Sequence, residues 1–321
     1  MLPLDISAAT NASVPSFDTG SDPALDAVFN WFSSQNNLQE RFGYVLRQSI
    51  DEVLDGQRTG RFDIKFLEKT EKTYLGTKVE IITRAEFNLS RGTSMDYSVA
   101  GNDVDAKFTI LKNWTIPHEA DGHICLLMRA NDYESKFQVG LLRIRNEFLN
   151  VGRNRDGKRT PSAVGRSAIR WIIPDGKLPE NILMSLPESD RNAIFHASDG
   201  YRGGGNGGQL RTDELFRRAR NKLIDRNTVL TVASQDDGPK RVRDARNRLR
   251  GEGIMILGAQ DQHPHIARAL GLTAPHKGSW MAVRVTNLGP NAGTRRTAEV
   301  MGNRYGLWTE GDPHTPAPAS Y

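Results

Sequence analysis

Cysteine is nearly absent from this sequence: Cys125 stands alone among 321 residues. An internal disulfide is therefore impossible, and the composition points to a reducing cytoplasm. The glycosylation-type triplets at Asn11 and Asn113 carry no weight in that compartment. A zinc centre would have to rest on His263 and His265 in "QDQHPHIAR", with no further paired ligands, which argues against one. No apolar run is long enough to cross a bilayer, so no membrane partner is expected. The opening "MLPLDISAATNASVPSF" lacks a basic region ahead of an apolar core and does not read as a signal peptide. Residues 1–20 read instead as a disordered arm. The segment "SDGYRGGGNGGQ" (198–209) lacks the Gly-Lys-Ser/Thr ending of a phosphate-binding loop and reads as a flexible connection. Internal repeats are missing as well.

The length suits two domains. "IIPDGKLPEN" combines two prolines, a glycine and charges between regular regions, which suggests a linker over 173–181 between units at 21–172 and 182–312. A disordered tail is expected at 313–321. Charge is uneven: residues 1–172 hold 22 basic and 22 acidic side chains, residues 173–321 hold 21 and 16. Between Lys240 and Arg250 alone there are six basic residues against Asp244. The whole excess of +5 equals the charge of that one stretch. A local nucleic-acid contact has that form; general solubilising charge does not.

In the first half, "ALDAVFNWFSSQ" and "LQERFGYVLRQSIDEVLDG" space their apolar residues as helices. "GTKVEIITRAEFNL" also has helical phase, placing Glu80 beside its apolar face, although its β-branched middle allows a strand. "MDYSVA" and "VDAKFTI" flank "GND" as strand, turn and strand. "HICLLMRA" and "FQVGLLRIR" are apolar enough for central strands covered on both faces. Together these predict an α/β sandwich, a sheet flanked by helices. In the second half, "TDELFRRARNKLIDR" and "NTVLTVAS" predict two helices. After the turn "QDDG", "PKRVRDARNRLRGEG" predicts a third, entered through Pro239. Val242, Ala245 and Leu249 form its inward stripe, with Lys240, Arg243, Arg246 and Arg250 on another face. "IMILGA", "WMAVRVTN" and "TAEVMGNRYGLW" then read as strands. Helix, turn, basic helix and β-hairpin is the layout of a winged helix-turn-helix.

One short segment could carry chemistry. In an extended strand Asp105 and Lys107 point the same way, and a turn at 101–103 would return Asp96 to them. Two converging carboxylates repel unless a cation lies between them, and hard oxygen ligands suit Mg²⁺. A lysine beside them could orient an attacking water, with Glu80 as a fourth member. The same spacing also fits a solvated, charged edge hairpin.

A resemblance runs in order from Leu46 to Asp312, through "VLDGQRTGRFDIKFLEKTEKTYLGTKVEI", "MDYSVAGNDVDAKF", "DGHICLL", "GKLPENIL", "ELFRRARNKLIDR", "SQDDGPKRVR" and "GIMILGAQDQHP". In these the chain resembles the restriction endonuclease NaeI family. The resemblance implies an N-terminal PD-(D/E)xK endonuclease domain, a mixed sheet flanked by helices, and a C-terminal CAP-like winged helix-turn-helix domain. It implies Mg²⁺-dependent double-strand cleavage of a GC-rich, GCCGGC-like palindrome by a bacterial cytoplasmic homodimer. A second copy of the site, bound by the C-terminal domain, would activate the first, and a DNA methyltransferase would be its genetic partner. Glu80, Asp96, Asp105 and Lys107 fall on the family's catalytic positions, with Asp96, Asp105 and Glu80 as candidate metal ligands. Met95 stands where the superfamily pattern has its proline, as the family itself does.

"VLDGQR" keeps the frame of a ligase adenylation motif, but Val53 replaces the nucleophilic lysine, and an aliphatic side chain cannot attack a nucleotide. Arg58 and Arg61 remain candidates for DNA contact, as do Lys69, Lys72 and Thr73 for phosphate oxygens and Lys240, Arg241, Arg243 and Arg246 for groove or backbone contact. Alternatively "DGQRTG" is a turn in which Gly56 and Gly60 supply special backbone angles. The competing function is a winged-helix regulator that keeps the nuclease fold without cutting. A dead relative would have lost at least one of the four catalytic positions, and all four are present.

Overall fold

The computed structural model describes residues 21–202, 206–289 and 293–321; the arm expected at 1–20 lies outside them. The first half runs α1 (Pro23–Ser33), α2 (Leu38–Leu54), α3 (Gly56–Thr59), α4 (Lys69–Glu86), β1 (Tyr97–Val99), β2 (Asn102–Thr109), β3 (Ile124–Asn131), β4 (Lys136–Arg143), α5 (Ala163–Ser167) and β5 (Arg170–Lys177). The strands form one mixed sheet in the order β1-β2-β3-β4-β5. Only the β2–β3 pair is parallel. Period-two alternation on β2 and β3 sends Val104, Ala106, Ile124, Leu126 and Met128 into a core shared with Phe42, Leu46, Leu75 and Val79 of the helices. Cys125 and Leu127 face the other way, into a smaller cluster with Trp114, Ile116 and Leu142. The helical phase of "GTKVEIITRAEFNL" prevails over its β-branched middle, because α4 buries Leu75, Val79 and Thr83 along one stripe.

The expected linker is shorter than its composition suggests. Residues up to Lys177 belong to β5, paired antiparallel with β4 through two register shifts. Ile173 is buried in the main core, and Pro174 is tolerated because β5 is an edge strand with one side free of ladder bonds.

The second half contains α6 (Ile182–Ser185), α7 (Glu188–Phe195), α8 (Gly207–Arg218), β6 (Ile224–Asp225), α9 (Arg226–Ala233), α10 (Gly238–Leu249), β7 (Ile254–Leu257), α11 (His263–Ala269), β8 (Ser279–Asn287), β9 (Thr297–Val300) and β10 (Asn303–Leu307). The first predicted helix is displaced: α8 starts inside the glycine-rich segment and ends at Arg218. Gly208 permits this, since a β-carbon there would strike the Ala233 carbonyl of α9. Between α9 and α10 the chain turns at Ser234, whose backbone is left-handed. Val242, Ala245 and Leu249 of α10 are buried as the stripe predicted. The expected disordered tail is docked. Ala317 is buried and donates its N–H to the Arg250 carbonyl. The Tyr321 hydroxyl accepts from the Ile256 N–H at 2.8 Å, and the Tyr321 backbone oxygen meets His263 Nε2 at 2.8 Å. His263 Nδ1 accepts from the Gly258 N–H at 3.0 Å, so both ring nitrogens of this buried histidine are occupied.

The halves meet where the ligase-like frame lies. Asp55, with φ of 46°, ends α2, and Gly60, with φ of 69°, ends α3. Gly56 has another duty: it is buried against α9, where a β-carbon would run into Thr231 Oγ1 and the Arg61 carbonyl. Gln57 donates to Asp236, the Asn227 amide donates to Asp51 at 3.1 Å, and Phe62 stacks on Phe195 at 5.6 Å between centroids. Gly56→Ala is expected to destabilise the protein by about 1–3 kcal/mol, the usual cost of overfilling a packed contact. Thr231→Ala in the same chain should recover part of that loss, with denaturant unfolding as the measurement.

Candidate functional site

Backbone register brings the two aspartates together. Tyr97 pairs with Val104 across the β1–β2 hairpin, so the next residues outward, Asp96 and Asp105, stand opposite each other on one face of the sheet. The turn that achieves this lies at Ala100 and Gly101, with φ of 48° and 75°, one residue earlier than the sequence suggests. Asp96 Oδ2 accepts the Ala106 N–H at 2.7 Å, which locks the start of β1 against β2. Lys107, two residues along from Asp105, places Nζ 2.6 Å from Asp105 Oδ2. Asp105 is buried, and behind it the buried thiol of Cys125 approaches Oδ2 at 3.5 Å.

Charge at this site is under-compensated. Burial pushes the Asp96 carboxyl up to about 6, against the stabilising Ala106 amide, and the neighbouring Asp105 and Glu80 carboxylates push the same way. Glu80 lies on α4, where Arg84 stands 3.6 Å from its carboxylate. Its turn of helix is pinned by the buried Tyr97, whose hydroxyl donates to the Glu80 carbonyl at 2.9 Å. Glu80 thus acts on Asp96 through charge: among the described residues, no three histidine, cysteine or acidic side chains gather closely enough to share a metal. Two hard, partly buried carboxylates with unspent negative charge nevertheless fit a magnesium ion, which commonly takes one or two carboxylates and fills its other positions with water and substrate oxygens.

The basic residues separate into those available to a partner and those spent within the chain. Lys69 and Lys72 are exposed in the first turn of α4. Lys240 and Arg243 are exposed on α10. Arg58 is exposed and pairs with its neighbour Asp55 at 3.1 Å. By contrast, Arg241 is held by Asp237 at 2.7 Å. Arg246 turns inward, donating to the Ile256 carbonyl at 3.0 Å with its guanidinium over the Tyr321 ring. Arg61 makes two 2.8 Å bonds to Glu71. Helical spacing separated the buried stripe of α10 from its basic face, but Tyr321, the partner that captures Arg246, is remote in sequence.

Tyr97 and Cys125 are the site neighbours that sequence reasoning passed over. Both are apolar-patterned strand residues, and only the assembled sheet sets them beside carboxylates.

The family model for restriction endonuclease NaeI matches residues 28–316. The chain is also 44% identical, over 302 residues, to the type II restriction enzyme NaeI of Lentzea aerocolonigenes, covering 92% of this chain and 94% of that one. With its paired aspartates and lysine falling inside that match, the chain belongs to the NaeI family of restriction endonucleases.

Proposed function

We propose that this restriction endonuclease cuts DNA at the Asp96–Asp105–Lys107 centre in a Mg²⁺-dependent reaction. The observation that carries the reading is the register-enforced opposition of Asp96 and Asp105, with Lys107 2.6 Å from Asp105 on the same face. Asp96 and Asp105 would hold the ion, and Glu80 would add negative charge behind Asp96. When bound there, the ion supplies Lewis-acid stabilisation of charge on the scissile phosphate. The Lys107 ammonium, tethered beside Asp105, orients the attacking water and offsets charge gathering on the phosphate. In-line attack leaves a 5′-phosphate and a 3′-hydroxyl.

The first half corresponds in this reading to a PD-(D/E)xK nuclease domain and the second to a winged-helix element whose α10 faces DNA. The target is a GC-rich palindrome of the GCCGGC type, cut by a homodimer and activated by a second bound copy. Arginine reading guanine edges suits that composition, and Arg243 on α10 is the open candidate for it. Lys240, Lys69, Lys72 and Arg58 suit phosphate contact. Arg241 and Arg246 support the helix instead.

Three outcomes follow. Asp105→Ala should lower cleavage by about 10³-fold, the scale of a lost electrostatic stabiliser, while gel-shift affinity for site DNA stays close to that of the unaltered protein. Comparable cutting by this variant would sink the assignment. Because Asp96 keeps its proton up to about pH 6 in the metal-free protein, protons and the cation compete for it. Titration of Mg²⁺ should therefore give a higher midpoint at pH 5.5 than at pH 8, and an unchanged midpoint would remove Asp96 as a ligand. Lys240→Ala with Arg243→Ala should reduce the slope of log affinity against log salt by about 2, near one per lost phosphate contact. The same pair should blunt the stimulation of one-site plasmid cleavage by added site DNA.

A further inference from the structure

We propose that Asp103 is a positioning residue of the cleavage centre, holding Asp96 in place by folding the loop that delivers it. The inference rests on the reading of Asp96 and Asp105 as the ion-binding pair and adds a residue that this reading does not use. Asp103 lies on β2 two residues before Asp105 and so projects from the same face of the strand. Its carboxylate is fully engaged. Oδ1 accepts the Thr93 N–H at 2.8 Å, and Oδ2 accepts the Ser94 N–H at 2.8 Å and the Ser94 hydroxyl at 2.7 Å. With three donors already on it, Asp103 serves as an anchor for the loop, and the ion falls to Asp96 and Asp105.

The loop has no slack around this anchor. Its base is closed by the Ser98 N–H, which donates to the Ser90 carbonyl at 2.9 Å. At Gly92 a β-carbon would lie 2.5 Å from the Met95 carbonyl oxygen, 2.7 Å from that of Tyr97 and 2.9 Å from Asp103 Oδ1. The chain thus wraps tightly around the Asp103 carboxylate and emerges at Met95 with Asp96 aimed at the Ala106 amide and at Asp105. The three donors also hold the Asp103 carboxyl below its ordinary range, as expected of an anion that is hydrogen-bonded throughout. Without it, two backbone N–H groups and a hydroxyl lose their acceptor. The loop relaxes, and Asp96 loses its fixed position opposite Asp105.

The test compares Asp103→Ala, Asp103→Asn and Gly92→Ala with Asp105→Ala in the full-length protein. Cleavage at varied Mg²⁺, metal-free binding of site DNA and thermal unfolding are measured for each. Asp103→Ala should lower kcat roughly 10- to 100-fold, the range expected when a reacting group is misplaced by about an ångström, and raise the Mg²⁺ midpoint. KM for DNA and metal-free DNA affinity should stay within about twofold of the unaltered protein, since positioning acts on the reacting step. Asp103→Asn, which keeps one acceptor, should fall between the two. Gly92→Ala should reproduce the raised Mg²⁺ midpoint without touching any acid, and it decides the matter if Asp103→Ala does not fold. An unaltered kcat and Mg²⁺ midpoint in both Asp103→Ala and Gly92→Ala, beside a dead Asp105→Ala, overturns the positioning role alone. Loss of DNA affinity in step with cleavage would make Asp103 a DNA contact and equally overturn it. Continued cutting by Asp105→Ala would instead remove the reading on which the inference stands.

Discussion

A buried guanidinium holds this molecule together. The Arg47 side chain is 9% exposed, lies 2.7 Å from Asp51 on its own helix and 2.5 Å from Asp132 beyond β3. Asp51 reaches Asn227 at the start of α9. Asp132 lies 3.5 Å from the amide of Asn181, which donates to the Phe62 carbonyl at 2.7 Å. An ion this deep is costly unless its partners are in place, so removing any one of them would leave an uncompensated charge. Four separate chain segments are thereby obliged to converge. Helix α2, which carries Arg47, packs along α4, and α4 carries Glu80. The interdomain contact and the back wall of the cleavage centre therefore share one helix.

Against that scaffold the proposed active centre is arranged so as to be uncomfortable. Asp96 and Asp105 are set opposite each other by a hairpin that could not otherwise close, and burial worsens their repulsion. Lys107 answers part of that charge, and the excess is what a cation would answer. Stability is given up locally for function, while the surrounding sheet and the pinned carbonyl of Glu80 keep the pair from drifting apart.

The ligase-like frame is placed differently from either of its sequence readings. "VLDGQR" is the seam between the halves, with Gly56 against Thr231 and Gln57 bound to Asp236. Glycine serves there for close approach, and the left-handed backbone belongs to Asp55 and Gly60. Arg61, a candidate for DNA, is consumed by Glu71. Pro174 and Gly176 suggested a linker because composition cannot tell an edge strand from a connection; the distinction lies in whether a neighbouring strand is there to pair. The tail misled for a similar reason. Its prolines and small residues bury little by themselves, yet Tyr321 finds a site made by Ile256, His263 and Arg246.

The sequence by itself determined the local elements and the candidate chemistry. Apolar spacing placed α2, α4 and α10, alternation placed β2 to β4, and the order of motifs carried the family and the set Glu80, Asp96, Asp105 and Lys107. These are properties of neighbours along the chain, fixed by helical and strand periodicity. Only the tertiary structure decided that Asp96 and Asp105 face each other while Glu80 acts from the next layer. It alone decided that Arg241 and Arg246 are spent internally while Lys240 and Arg243 stay open. Those outcomes depend on strand register and on partners far away in the sequence, such as Tyr321 for Arg246 and Asp132 for Arg47. Charge and hydrogen-bond capacity are visible residue by residue, but how each is used is settled only by what packs against it.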